Sequence, residues 1–216
     1  QGRLQNDPEK LKRNYKIILN STLFIIFSLL FALSATAESL VLTLIGEKWR
    51  GSIIYLQLIS FAGIFYPMQS MARSLLLVNG KSGLYFKLQI FSKLLSIPVI
   101  LIGIFLGIKN MIVAMILVGF IEYIFKAHYS GKLIGYSLLN QMKDLIPSFL
   151  VALCIFSVLY VFEYITVLPP IKTLIFQSLL GLTLFIGLSE IFRINEYIFI
   201  KCTIIEKIKS LNNKRK

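Results

Sequence analysis

Tyr66, Gln69 and Arg73 stand at i, i+3 and i+7 in one apolar stretch, a spacing that places all three on a single helix face. Gln89 and Lys93 stand four apart in the next stretch, with Tyr85 one turn before them and Ser96 one turn after. Two consecutive helices thus each carry a polar stripe ending in a cation. A guanidinium and an ammonium attract anions, and amide and phenol groups hydrogen-bond hydroxyls such as those of a sugar. Arg73 lies about five residues before the end of its apolar block, which at 1.5 Å per residue sets it roughly 7–8 Å below the membrane rim. Either the stripes face a water-filled cavity, or both cations snorkel to the nearby surface.

Glu122 and Lys126 are four apart in the favourable order for an intrahelical ion pair. The alternative makes Glu122 a proton or cation site for coupling. Glu163 and Glu190 fall near the ends of apolar blocks and read as interfacial, and His128 reads as solvated in a connection. Enzymatic chemistry is not expected. The only aspartates are Asp7 and Asp144, no two acids are spaced to hold a divalent ion, and no Gly-rich phosphate loop occurs. Cys154 lies in an apolar block and Cys202 in a basic tail, so neither a metal site nor a disulfide is expected, and no cofactor.

The elements that must position these residues are membrane helices. Of 216 residues 56% are hydrophobic and 15% charged, with a mean hydropathy of +0.78, against about 25% charged in a soluble domain. The apolar residues fall in blocks near the roughly 20 residues that span a hydrocarbon core. Six spans are predicted at 17–36, 53–78, 84–108, 110–126, 145–165 and 171–191. Helices are expected, because an open sheet leaves backbone groups unpaired in lipid and the blocks lack the alternation of a barrel strand. The fold class is therefore all-α, a polytopic transmembrane helix bundle over residues 1–191, followed by a basic amphipathic cytoplasmic tail over 192–216.

Basic residues give the orientation, since cytoplasmic connections carry the excess of Lys and Arg. Six crossings put all but Lys48, Arg50, Lys109 and Lys172 of the 23 on one side, so both termini are expected in the cytoplasm. The net charge of +13 is accounted for by anionic membrane lipids and requires no nucleic acid. In the tail, Ile194, Ile198, Ile205, Ile208 and Leu211 recur at near-helical spacing among lysines, the pattern of an interfacial helix.

Punctuation supports the same layout. Asp7-Pro8-Glu9 is a helix start, Asn79-Gly80-Lys81-Ser82-Gly83 a tight turn and Pro169-Pro170 an outer turn. Pro67 and Pro98 lie inside spans, where each removes a backbone hydrogen bond and kinks its helix. Gln1 in place of Met, with no signal peptide after it, reads as the start of a segment within a longer protein.

The stretch from Arg3 to Leu11 (RLQNDPEKL), then Leu44-Ile45-Gly46-Glu47-Lys48-Trp49, Leu56-Gln57-Leu58, Pro67 and Asn79-Gly80-Lys81, resembles the second half of bacterial polysaccharide flippases of the MATE-like superfamily. The resemblance is specific over residues 1–95 and compatible in hydropathy beyond. It implies a two-lobe transporter of which this chain is the last six helices. Such proteins move undecaprenyl-pyrophosphate-linked oligosaccharide, the repeat unit of O-antigen, capsule or exopolysaccharide, across the bacterial inner membrane by alternating access. Other polysaccharide-assembly proteins are the implied partners. Arg73 is the best match to the family's cavity cations and Lys93 a weaker one, with Tyr66, Gln69 and Gln89 beside them. A small-molecule exporter of the same superfamily, which predicts a cavity of acids and aromatics, and a membrane assembly subunit remain the alternatives.

Overall fold

The computed structural model describes residues 8–191 and Tyr197; the Asp7 cap and the tail over 192–216, Tyr197 apart, lie outside the described residues. Among the described residues, six helical segments are long and apolar enough to cross a membrane: Glu9–Ala35, Glu47–Val78, Ser82–Leu106, Ile108–Leu133, Leu138–Ile165 and Pro170–Ile191. The all-α reading of a transmembrane bundle holds, and the chain is that of an integral membrane protein.

The helices are α1 (Pro8–Ala35), α2 (Ala37–Leu44), α3 (Ile53–Gly63), α4 (Phe65–Val78), α5 (Ser82–Leu106), α6 (Ile108–Leu133), α7 (Leu138–Ile165) and α8 (Pro170–Ile191), with a 3-10 turn at Glu47–Ser52 before α3. Pro8 begins α1, where a missing N–H is harmless. α1 is the central post, packed against α3 and α7, while α4, α5 and α6 form one side and α8 closes on α2 and α7. Phe31 holds this centre through edge-to-face contacts with Phe61, Phe149 and Phe156 at ring separations of 5.2, 5.5 and 6.0 Å.

Three helices outrun the predicted spans, the first beginning at Glu9, the fifth at Leu138 and the fourth ending at Leu133, and the second span bends where a proline is expected to kink it. The second is broken at Ile64, three residues before Pro67, because a proline at 67 can neither bond the Gly63 carbonyl nor avoid crowding it. The helix of the fourth runs on to Leu133, seven residues past Lys126, so His128 is an exposed helix residue and the connection shrinks to residues 134–137. Hydropathy ends at Lys126, but the helix carries on through Gly131, and the chain turns only at Gly135, at φ 63°. Helix α5 continues through Pro98, with Leu94 as the carbonyl left without its helical donor.

The short turn after α6 is fixed by close packing. Buried Gln141 donates to the carbonyls of Ala127 (3.3 Å) and Tyr136 (3.0 Å), and a Cβ on Gly131 would lie 2.2 Å from the Tyr136 carbonyl oxygen. Gly131→Ala is therefore expected to destabilise the bundle by about 1–3 kcal/mol, the usual range for overpacking, read as a lowered melting temperature in detergent. The Tyr136 hydroxyl donates to Asp144 at 2.5 Å, and Asp144 pairs with Lys16 of α1 at 2.8 Å. Burial, and then the Asp144 carboxylate, push the Tyr136 phenol well above the ordinary tyrosine value, so it stays a donor through the neutral range.

At the other end, Glu163, two residues before the end of α7, is half-buried and makes specific contacts. The Ser39 hydroxyl lies 2.7 Å from both of its oxygens, and buried Gln177 donates to it at 2.5 Å and to the Leu159 carbonyl at 3.2 Å. One carboxylate thus joins α2, α7 and α8. Glu163→Ala leaves two buried donor groups without their acceptor, and the expected loss is about 1–3 kcal/mol in detergent unfolding, with Glu163→Gln losing less.

Candidate functional site

The polar stripes of α4 and α5 meet a third helix. Tyr66, Gln69 and Arg73 of α4, Gln89 and Lys93 of α5, and Glu122 of α6 all line one cavity of about 200 Å³. Ser70, Tyr85, Ser92, Ser96 and Lys126 complete its wall. Pairing of α6 with both α4 and α5 brings them together, and it also determines which polar groups are free. Arg73 and Lys93 are exposed and make no hydrogen bond or ion pair among the described residues.

Gln69 is engaged at both ends. Its Nε2 donates to the Gly119 carbonyl at 3.3 Å, and its Oε1 accepts from Lys126 Nζ at 2.8 Å. It ties α4 to α6 and orients an ammonium, a different task from offering a free amide to a ligand. Lys126 Nζ also lies 2.9 Å from Glu122 Oε2, which is the i, i+4 pair anticipated from the spacing. Lys126 is buried, only 6% exposed, and Glu122 is partly buried beside it. An ammonium at that depth persists because two acceptors compensate its lost hydration.

Ser70, Ser92 and Lys126 are the wall residues that sequence reasoning did not place there, and Lys126 is the charged one. It stands at the end of the apolar block, where its spacing offers Glu122 as a partner but gives no sign that it faces a cavity. The signal that places it inside is Gln69, 57 residues away and on another helix.

A second, apolar groove of about 520 Å³ runs between α3, α4, α5 and α6, lined by residues such as Ile59, Phe65, Val99, Met111 and Met115. It shares Tyr66, Gln69, Ser96 and Glu122 with the polar cavity. Side by side, a cation-lined chamber and an apolar groove suit an amphiphile whose anionic headgroup enters the first while its hydrocarbon stays in the second. Among the described residues, three cations from three different helices face the chamber, against the single carboxylate of Glu122.

Residues 2–54 match the family model described as "Polysaccharide biosynthesis protein". That stretch covers α1, α2 and the turn with Gly46-Glu47-Lys48-Trp49, and it ends before the first cavity residue, Tyr66. The chain is 32% identical over 102 residues to "Lipopolysaccharide biosynthesis protein WzxC" of Escherichia coli (strain K12), a match covering 47% of this chain and 21% of that protein. It is 29% identical over 99 residues to "Uncharacterized membrane protein in cps region" of Klebsiella pneumoniae, covering 46% and 20%. The chain thus matches about a fifth of the length of either relative. No solved structure matches it significantly. The resemblance to polysaccharide-biosynthesis membrane proteins of the flippase type, read from the ordered motifs, is borne out over this part of the chain.

Proposed function

We propose that this chain forms the last six helices of a two-lobe, MATE-like flippase that carries an undecaprenyl-pyrophosphate-linked oligosaccharide from the cytoplasmic to the outer leaflet of the bacterial inner membrane. The observation that carries the reading is the cation-lined chamber beside an apolar groove, which share Tyr66 and Gln69 of α4, Ser96 of α5 and Glu122 of α6. The names of the relatives, one from lipopolysaccharide biosynthesis and one from a cps region, support a role in surface polysaccharide. In this reading Arg73 and Lys93 take the pyrophosphate, while Tyr66 and Gln89 hydrogen-bond sugar hydroxyls. Gln69 holds the α4–α6 wall. The lipid tail lies along the apolar groove, and the process makes and breaks no covalent bond.

The charge partition orients the lobe with both ends of this chain in the cytoplasm. Arg73, five residues before the end of α4, then stands toward the side from which the substrate arrives, Lys93 lies midway along α5, and anionic lipids surround the basic rim. A chamber with three cations and one carboxylate that is already paired disfavours an exporter of cationic drugs. Loss of the complete gene, in a strain without a redundant flippase, is expected to abolish surface polysaccharide while lipid-linked repeat units accumulate inside. Normal surface polysaccharide in that strain would overturn the proposal.

A further inference from the structure

We infer that Glu122 is a built-in counter-anion that occupies Lys126 while the cavity is empty and yields it to the pyrophosphate of the substrate; this rests on the flippase reading above. Lys126 lines the same chamber as Arg73 and Lys93, but unlike them it is buried and engaged. A buried ammonium without an anion is strongly unfavourable, so a chamber that must empty on every cycle needs an internal anion to hold this one. Glu122 supplies it from one turn away, at 2.9 Å.

The bond is suited to exchange. Only Oε2 of Glu122 is held, by Lys126 alone, and Oε1 has no hydrogen bond among the described residues. Lys126 has three N–H donors, of which Glu122 and Gln69 take one each. A phosphate oxygen entering the chamber can take the third donor first and then replace the carboxylate, so the ammonium is never without an anion. Gln69 keeps the ammonium in place during the exchange. The bound anion then links α4 through Arg73, α5 through Lys93 and α6 through Lys126, whereas the Glu122 pair lies within α6 alone. Substrate therefore draws three helices together where the empty chamber does not.

The direct measurement is the affinity of the purified full-length protein for inorganic pyrophosphate and, separately, for farnesyl pyrophosphate. Glu122→Gln keeps the shape and an acceptor for Lys126 but removes the competing charge, and it is expected to tighten binding of both probes by about tenfold or more. Glu122→Asp, which retracts the carboxylate by one methylene, is expected to tighten both by a smaller factor and serves as a second readout should Glu122→Gln fold poorly. Adding Lys126→Met to Glu122→Gln is expected to return affinity to the parental value or below. Unchanged affinity in both Glu122 variants, with Arg73→Ala still weakening binding, would overturn this inference and leave the flippase reading standing. Tightening for inorganic pyrophosphate alone would overturn it as well, since Lys126 would then serve a soluble anion. If Arg73→Ala and the Glu122 variants all bind both probes as the parent does, the reading of the cavity fails together with the inference.

Discussion

Arg73→Ala in the full-length protein is expected to slow delivery of lipid-linked oligosaccharide to the outer leaflet by between about tenfold and several hundredfold, the range for losing one partner of a charge-assisted phosphate contact. The size of the effect follows from the position of the side chain. Arg73 faces the chamber and has no bond to the rest of the described protein, so its removal takes nothing from the fold. Insertion and thermal unfolding are expected to match the parent. Arg73→Lys is expected to recover only part of the rate, because an ammonium replaces a planar fork that can grip two phosphate oxygens at once. The check is the amount of lipid-linked repeat unit retained inside cells that make equal amounts of each protein. Parental export in Arg73→Ala would mean that the guanidinium merely reaches for the cytoplasmic surface.

Lys126→Met is expected to behave differently, with losses in both stability and transport. Glu122 is then left as a shielded carboxylate without a cation, and breaking such a pair from one side costs about 3–5 kcal/mol. Combining it with Glu122→Gln removes both charges, and most of the lost stability should return, read as recovery of the melting temperature in detergent. Transport should stay low in the double variant, since the third cation of the chamber is gone. Recovery of both properties would show that the pair only holds helices together.

These two residues mark where the sequence was legible and where it was not. The Tyr66, Gln69 and Arg73 stripe was visible because helical spacing alone puts residues at i, i+3 and i+7 on one face. The break near Pro67 follows from the chemistry of a single residue. The bond of Lys126 to Gln69 depends on the register between α4 and α6, which no local pattern encodes. The contacts of Glu163 were hidden for the same reason, because its partners Ser39 and Gln177 are 124 and 14 residues away. The length of α6 was missed because hydropathy measures contact with lipid, while the helix ends where backbone bonding ends. The spans themselves were plain, since a bilayer imposes their length and apolar character on the sequence.

The central claim is that the cations of this chamber carry a pyrophosphate-linked lipid across the bilayer. Its most direct test is to reconstitute the full-length protein in liposomes with a fluorescent polyprenyl-pyrophosphate-linked sugar and follow exposure of the sugar on the opposite leaflet. Movement well above that in empty liposomes, reduced at least about tenfold by Arg73→Ala at equal reconstitution, is the predicted result. Movement no faster than in empty liposomes, or equal in parent and variant, would contradict it.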